Sequence, residues 1–435
     1  MMQPSDTYVF SSWVQDPLRC RFRLLVLIVL AIAVVGTAAC SRQQQEARLL
    51  LADIQAGEGP SALKEREPRP AVNLNRITLG DGQTLDALIV QPGIGASDRN
   101  GRASGSMILV PGLAPDGLQD RRLQALAASL ARVGFEVVIP ELPGTADLVA
   151  DPSDPDVLAS VIRWATERPV SNSGPNPDSD PDSDPDSGQV VVSGISYALG
   201  PAVLAATRPE IAPRVSAVFG IGGYYDIETA IGFLTTGRYR DLDGEWREGP
   251  VERQAVWRYA LANADRLDDP ADAERMRAIA TQRLERLESG QDAPGRPENQ
   301  QADQQTHHPV PELGAEGAAI YELLANGDPE AVPALIAQLP PWMRQDLRAL
   351  SPAHWDGPTT RVRMILIHGR DDPLVPAPES RRLADALGTP DSRVVTADSL
   401  GHVAFDEGPG FADSLRLLQA ATDLLSIRDQ AGVRP

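Results

Sequence analysis

The hydrophobic pattern alternates between short β-branched runs and longer stretches whose apolar residues recur with helical spacing. Strands are predicted at residues 74–79, 84–90, 106–110, 135–139, 190–192, 215–219, 363–367 and 393–396. Helices are predicted at residues 118–133, 157–167, 197–207 and 378–387. This alternation favours an α/β fold whose doubly wound, mostly parallel sheet is covered on both faces. Asp81-Gly82, between the first two strands, predicts an opening hairpin.

Two segments interrupt this alternation. Residues 171–187 consist of Pro-Asp-Ser repeats with almost no apolar side chain, which predicts a disordered acidic loop. Its spaced aspartates lack the glycine and closing glutamate of a calcium-binding loop. Residues 227–356 are more chain than one crossover needs, and helical periodicity at 251–264, 272–287 and 315–325 predicts a helical insertion. Within it, the stretch 290–311 is predicted to be disordered.

The N-terminus has the pattern of an export signal. Arg19, Arg21 and Arg23 precede an apolar run at residues 24–35, which is short for a membrane span, and small residues follow it up to Cys40. The end of this run resembles a bacterial lipobox, with Thr37 in place of the usual leucine. The resemblance implies a signal peptide at 1–39, lipidation of Cys40 and a flexible tether over 40–70. An uncleaved membrane anchor and ordinary signal cleavage are the alternatives, and all three predict an exported protein held in or released into the cell envelope.

Composition narrows the classes of partner. The 435 residues, 42% of them hydrophobic, suffice for a full core with an insertion. Forty Lys and Arg against 60 Asp and Glu give a net charge of −20, which disfavours nucleic acid and anionic lipid headgroups as partners. The two cysteines, Cys20 and Cys40, form no disulfide framework and no Cys-x₂-Cys metal motif. No metal and no cofactor is therefore expected.

The candidate nucleophile is Ser196. The strand that begins at Val190 runs through Gly194 into this serine and then directly into helix-forming residues. A serine on such a tight turn presents its hydroxyl at the carboxyl end of a strand, with the next backbone N–H at a helix N-terminus. Ala198 stands where the usual pattern has a second glycine. The alternative is a serine that merely caps a helix.

A base and an acid are needed because a serine hydroxyl is a poor nucleophile near neutral pH. His402 follows the strand at 393–396 and is the histidine placed to accept the serine proton. Asp372 follows the strand at 363–367 and suits the role of orienting that imidazole, with Asp371 as the alternative acid. Taken singly, each of these residues also fits an ordinary turn.

At these points the chain resembles the α/β-hydrolase superfamily, including its esterases, lipases, dienelactone hydrolases and prolyl-oligopeptidase-like domains. The resemblance rests on the tight strand-to-helix turn at Ser196, the Gly-x-x-Asp-x-x-Val-Pro loop at residues 369–376 and the Gly-His loop at 401–402. It spans roughly residues 74–425. It implies a core formed by residues 71–226 and 357–428, with 227–356 as a cap. It also implies an oxyanion hole formed by the backbone N–H groups of Tyr197 and Leu113, with Gly112 as the alternative to Leu113.

These features predict an acyl-transferring serine hydrolase that acts on a small-molecule acyl substrate, most simply a carboxylic ester. Peptidase, thioesterase and acyltransferase activity use the same residues, and a non-catalytic ligand-binding protein or a passive envelope scaffold remains open. If the insertion caps the serine, some of its aromatic residues line an acyl pocket; otherwise they are core aromatics of a helical subdomain. The candidates are Trp246, Trp257, Tyr259, Trp342 and Trp355.

Overall fold

An eight-stranded sheet forms the centre of the computed structural model, which describes residues 42–94, 103–145, 147–168, 188–289, 313–402 and 410–432. Its strands are β1 (Ala71–Thr78), β2 (Thr84–Gln91), β3 (Gly105–Val110), β4 (Phe135–Pro140), β5 (Val190–Ile195), β6 (Val215–Ile221), β9 (Met364–Gly369) and β10 (Arg393–Ala397). A separate hairpin consists of β7 (Arg238–Arg240) and β8 (Trp246–Glu248).

The helices of the described residues are numbered in chain order. They are α1 (Arg42–Ala56), α2 (Ala62–Arg66), α3 (Arg121–Arg132), α4 (Asp154–Glu167), α5 (Leu199–Ala206), α6 (Ile227–Thr236), α7 (Gln254–Asn263), α8 (Pro270–Glu288), α9 (Ala315–Leu324), α10 (Val332–Gln338), α11 (Pro341–Leu350), α12 (Pro378–Leu387) and α13 (Phe411–Gly432). The chain divides into two units, Met1–Gln45 and Glu46–Pro435. Of the first unit, the structure describes only residues 42–45.

The sheet is mostly parallel, as predicted. Its strand order is β1-β2-β4-β3-β5-β6-β9-β10. The first two strands form the predicted antiparallel hairpin, and β2 also runs antiparallel to β4. Gly82 in the hairpin turn has a φ of +86°, a conformation that favours glycine. From β4 to β10 all neighbouring strands are parallel, so their carboxyl ends meet at one edge, where ligands of such sheets bind.

Both faces of the sheet are buried, which explains why its central strands are continuous apolar runs. In β3, Met107 and Leu109 contribute to one core cluster, and Ile108 and Val110 contribute to the other. This two-sided burial is typical of a parallel sheet covered by helices. Successive side chains of a strand therefore enter two different hydrophobic cores, one on each face of the sheet, rather than alternating between a core and solvent.

The insertion after β6 is largely helical, as predicted, and has an apolar centre of its own. Trp257, Met276 and Tyr321 are buried there, contributed by α7, α8 and α9. The hairpin β7–β8 was not predicted, because each strand has only three residues. The predicted disordered stretches at 171–187 and 290–311 lie outside the described residues.

The prediction of a flexible tether over residues 40–70 is wrong for its described part, which contains α1 and α2. Ala47, Leu50 and Leu63 are buried in the core cluster of one sheet face. These few apolar residues are spread among glutamine, arginine and glutamate, so composition concealed the amphipathic pattern. A short polar-rich helix packs well when its narrow apolar stripe meets a core.

A buried carboxylate fixes this N-terminal segment to the rest of the fold. Asp53 on α1 is fully buried and accepts a hydrogen bond from Ser129 on α3 at 2.7 Å. It also pairs with Lys64 at 2.8 Å and with Arg132 at 3.2 Å. A buried charge compensated in this way joins α1, α2 and α3 at one point.

The predicted export signal lies outside the described residues, since the structure describes nothing before residue 42. Among the helices it does describe, none combines the length and apolar character needed to cross a membrane.

Candidate active site

Ser196 lies on a strained turn between β5 and α5. Its φ is +54°, a left-handed conformation that non-glycine residues rarely adopt. The turn is also crowded, because a Cβ atom at Gly194 would lie 2.5 Å from the Cα atom of Leu199. Glycine at 194 is therefore required for the chain to enter the helix so sharply. Such strain at a polar residue, held in place by its surroundings, is characteristic of functional sites.

Ala198 occupies the position of the second glycine without visible strain. It is fully buried in the short helical turn of residues 196–198. The close approach that needs a glycine occurs two residues later. A Cβ atom at Gly200 would lie 2.4 Å from the hydroxyl oxygen of Tyr224. The departure from the usual motif thus reflects where a neighbouring side chain packs against the helix.

Three of the predicted residues meet at the carboxyl ends of their strands. The Nε2 atom of His402 lies 2.6 Å from Ser196 Oγ, and its Nδ1 atom lies 2.7 Å from Asp372 Oδ2. Asp371 is exposed, whereas Asp372 is 2% exposed, so the structure brings Asp372 and not Asp371 to the imidazole. A serine, an imidazole and a carboxylate in this line can move a proton from the hydroxyl to the ring.

The architecture is defined by the sheet order and by three loops at the carboxyl ends of the strands. These are the tight turn at Ser196 after β5 (the serine elbow), the acid loop at residues 369–376 after β9, and the histidine loop at 401–402 after β10. The chain has the α/β-hydrolase fold. This assignment rests on the topology and on the positions of the three loops.

Comparison with known proteins gives distant structural similarity only. No protein-family model matches the chain, and no curated protein sequence matches it. An acylaminoacyl peptidase from Pyrococcus horikoshii is 12% identical with a TM-score of 0.39, over 83% of this chain and 41% of that one. A Mycobacterium tuberculosis puromycin-hydrolyzing peptidase is 14% identical with a TM-score of 0.41, over 86% of this chain and 40% of that one. A Pyrobaculum calidifontis esterase is 14% identical with a TM-score of 0.38, over 90% of this chain and 92% of that one. The chain thus spans less than half the length of the two peptidases.

The acid of this hydrolase fold is surrounded by hydrogen-bond donors. Asp372 Oδ1 accepts the backbone N–H groups of Leu374 at 2.8 Å and Val375 at 2.9 Å. Burial by itself would raise the pKa of Asp372. Hydrogen bonds from His368 and His402 outweigh it and hold the pKa of this carboxyl well below its usual range. Asp372 is therefore ionised whenever the fold is intact near neutral pH.

A carboxylate on α13 holds the loop that carries His402. Asp413, in the first turn of that helix, accepts the backbone N–H groups of Asp398 at 2.7 Å and Ser399 at 3.0 Å. A carboxylate at a helix N-terminus is also favoured by the helix dipole. Sequence reasoning missed Asp413, because nothing in the sequence links the first turn of the last helix to the loop before His402.

The loop after β6 is fixed in the same manner. Glu379 on α12 is fully buried, and its Oε2 atom accepts the N–H groups of Tyr225 at 3.0 Å and Asp226 at 2.8 Å. Its Oε1 atom accepts a hydrogen bond from Arg382 at 2.6 Å. Burial raises the pKa of Glu379 despite these donors. Sequence reasoning missed this residue too.

Gly222 brings the loop after β6 against His402. Its φ is +62°, and a Cβ atom there would lie 2.8 Å from the backbone oxygen of His402 and 3.1 Å from its Nδ1 atom. No side chain fits between this backbone and the imidazole. The position of His402 therefore depends on glycine at 222 as well as on Asp372.

The two predicted oxyanion loops both lie beside Ser196. Tyr197 follows the serine directly, and a Cβ atom at Gly112 would lie 3.1 Å from Ser196 Cβ and 3.0 Å from the backbone oxygen of Ile195. The segment that contains Gly112 and Leu113 is thus in contact with the elbow. The role of the Leu113 and Tyr197 amides as oxyanion donors remains a prediction.

An apolar cluster beside the three residues joins the core to the insertion. Its buried members are Tyr197, Tyr224, Ala230, Leu350 and Val375. Tyr224 donates a hydrogen bond to the backbone oxygen of Leu350 at 3.1 Å, and the N–H of Glu252 donates to the oxygen of Pro373 at 3.0 Å. The insertion therefore contacts both the loop after β6 and the acid loop.

The aromatic residues singled out in the insertion have other neighbours. The four tryptophans pack on arginines, Trp246 on Arg240, Trp257 on Arg283, Trp342 on Arg266 and Trp355 on Arg208. Tyr259 is half-buried. A cavity of about 290 Å³ lies between the insertion and α12, with Trp246, Val332 and Arg382 in its lining. Ser196, Asp372 and His402 do not line it.

Asp154 is a buried carboxyl that sequence reasoning did not identify. It lies at the start of α4, is fully buried, and accepts a hydrogen bond from the Tyr197 hydroxyl at 2.9 Å through Oδ2. Its Oδ1 atom has no hydrogen-bond partner among the described residues. Burial raises the pKa of Asp154 to about 7.

Among the described residues, no group of three or more His, Cys, Asp or Glu side chains is arranged to hold a metal ion.

We expect Gly222→Ala to slow the reaction of Ser196 with a fluorophosphonate about tenfold or more, because the added methyl displaces His402. The matched control is Gly82→Ala, which has a similar backbone cost at a φ of +86° but no atom within 4 Å of its new Cβ. That variant should react at the wild-type rate. Equal rates for the two variants would show that the crowding does not position the imidazole.

We expect Asp154→Asn to change how stability depends on pH. A raised pKa in the folded state means that wild-type stability falls as pH rises from about 4 to about 7, since over that range the unfolded chain has released a proton that the native carboxyl still binds. Asparagine accepts the Tyr197 hydrogen bond without titrating. Between pH 5 and pH 8 the free energy of unfolding, measured by urea denaturation, should fall by about 2–3 kcal/mol more in wild type than in the variant.

The control for this experiment is Asp156→Asn, in the same helical turn but with a side chain 75% exposed. It should follow the wild-type curve. If Asp154→Asn does so as well, the carboxyl is not the source of the pH dependence.

Proposed function

We propose that this protein is a serine hydrolase that cleaves a carboxylic ester through an acyl-enzyme intermediate. The observation that carries the proposal is the continuous hydrogen-bonded line from Ser196 Oγ through His402 to Asp372, with the serine held at a positive φ. Each residue comes from a different loop, and each loop is fixed by its own buried contacts. A structural serine has no need of such an arrangement.

In this mechanism Ser196 Oγ attacks the ester carbonyl carbon while its proton passes to His402 Nε2. The developing oxyanion is stabilised by the amides of Tyr197 and Leu113. The tetrahedral intermediate collapses, the ester C–O bond breaks, and His402 returns the proton to the departing alkoxide. A water molecule, deprotonated by the same imidazole, then attacks the acyl carbonyl and releases the acid and free Ser196.

Asp372 supports this cycle as the ionised partner of His402. Its hydrogen bond at 2.7 Å fixes the Nδ1–H tautomer, which leaves Nε2 free to accept the serine proton. The carboxylate also stabilises the imidazolium formed after transfer. Esters are less demanding substrates of such a site than peptides, because an alkoxide departs more readily than an amide nitrogen. Peptidase, thioesterase and acyltransferase activity use the same three residues and are the alternative functions.

We infer that the acyl group occupies the apolar cluster formed by Tyr197, Tyr224, Leu350 and Val375. Tyr197 follows Ser196 directly and Val375 lies in the acid loop, and both belong to one cluster with Tyr224 and Leu350. A small apolar acyl chain suits a lining of this kind, because its burial removes apolar surface from water on both partners.

The test of the proposed activity is labelling of the full-length protein with a fluorophosphonate, followed by hydrolysis of p-nitrophenyl esters of increasing chain length. We expect labelling of wild type, none for Ser196→Ala, and a rate reduced about 10³-fold or more for His402→Ala. Ser193→Ala is the matched control, since Ser193 is a fully buried serine on the same strand whose Oγ has no partner among the described residues. Labelling that persists in Ser196→Ala, or a folded wild type that does not label, would contradict the proposal.

We also propose that the enzyme is exported and anchored to the membrane through a lipid on Cys40, with no nucleic-acid partner. The proposal rests on the charged, apolar and small-residue segments that precede this cysteine. In cells, Cys40→Ser should move the protein from the membrane fraction to the soluble extracytoplasmic fraction. Cys20→Ser, the only other cysteine change available, should leave it in the membrane fraction. A membrane-bound Cys40→Ser protein would instead indicate an uncleaved N-terminal anchor.

A further inference from the structure

A second histidine contacts the acid of the proposed triad. His368 is the penultimate residue of β9, and its side chain is fully buried. Its Nε2 atom lies 2.9 Å from the backbone oxygen of Val375 and 3.3 Å from Asp372 Oδ2. The oxygen it approaches is the one that accepts the hydrogen bond from His402. Two imidazoles thus meet on one carboxylate oxygen.

The tautomer of His368 follows from its partners. A backbone carbonyl only accepts hydrogen bonds, so the proton of the neutral ring must be on Nε2. The Nδ1 atom, 2.7 Å from Ser380 Oγ, then accepts the serine hydroxyl proton. The Nε2–H group is therefore directed between Val375 and Asp372, where it supplies a fourth donor to the carboxylate.

We propose that His368 is a positioning residue that holds Asp372 in the rotamer needed by His402 and tunes the strength of their hydrogen bond. This inference rests on the proposed serine-hydrolase function for its kinetic readout. His368 touches neither Ser196 nor the predicted oxyanion amides; it acts through the acid. By sharing the charge of Oδ2, its N–H lowers the attraction of Asp372 for a protonated His402.

The other charged groups around this position have partners of their own. Glu379, next to Ser380, accepts hydrogen bonds from Arg382 and two backbone amides. Arg370 pairs with Asp398, and Asp371 is exposed. The pair that faces Asp372 from within the fold is therefore His368 and His402.

Two substitutions of His368 distinguish a role in positioning Asp372 from a role that only fills buried space. In His368→Gln the side-chain amide nitrogen reaches the place of Nε2 and keeps a donor toward Asp372. In His368→Asn the shorter side chain keeps a polar group toward Ser380 but loses that donor. A merely structural role predicts similar effects for both, because both leave a smaller, neutral side chain in the same buried site.

The experiment measures kcat/KM against pH with a p-nitrophenyl ester, together with the pH midpoint of the downfield proton signal of the His402–Asp372 hydrogen bond. His402→Ala identifies that signal by its loss. For His368→Asn we expect the acidic limb and the signal midpoint to move up by about 0.5–1 pH unit, with kcat lowered about tenfold. His368→Gln should remain close to wild type in both. Equal profiles for Gln, Asn and wild type, or equal losses in Gln and Asn, would overturn the proposal.

The kinetic readout and the proton signal distinguish failure of the proposed function from failure of the proposed role of His368. If the wild type hydrolyses no ester and does not label, the proposed function fails, but the proton signal still reports whether His368 acts on the pair. If His368→Asn does not fold, Ser380→Ala supplies the same test. Without the serine hydroxyl, Nδ1 of His368 loses the hydrogen bond that helps to hold the ring with its Nε2–H between Val375 and Asp372, so a smaller upward shift is expected. An unmoved midpoint in folded Ser380→Ala would then count against the inference.

Discussion

The buried carboxylate of Asp372 is the constraint on which the rest of the site depends. An ionised group with 2% exposure is tolerable only when donors surround it, and Asp372 has two backbone amides on one oxygen and two imidazoles on the other. Those donors come from the acid loop itself, from the end of β9 and from the loop after β10. Satisfying one charge therefore fixes three segments relative to one another, and Ser196 completes the line from the end of β5, which β6 separates from β9.

Close backbone approach is the second requirement. At Gly369, where β9 ends, an added Cβ atom would lie 2.2 Å from the oxygen of Gly401, so the loop before His402 passes directly over the strand end. The glycines at 194 and 222 serve the same purpose around the serine and the imidazole. Space around the reacting groups is thus filled by main chain, whose positions are set by the sheet and vary less than those of side chains.

Much of this could be predicted from the sequence, because the strands are buried on both faces and the residues of interest directly follow them. The parallel sheet, the opening hairpin and the meeting of Ser196, Asp372 and His402 all follow from that pattern. Long-range polar contacts could not be predicted, since no local pattern relates Glu379, Asp413 or Asp154 to the loops and side chains they hold. The helices at 42–66 were missed for a different reason, because their few buried apolar residues are hidden in a polar composition.

The link between the insertion and the acid loop has a property that side-chain contacts lack. The N–H of Glu252 bonds to the backbone oxygen of Pro373, the residue next to Asp372, at 3.0 Å. Main-chain groups are the same whatever side chain is present, so this link persists while the surface of the insertion changes during evolution. Proline at 252 is the exception, as it alone among the coded residues lacks the donor. The side chains of the insertion can thus change while its backbone contact with the acid loop is kept.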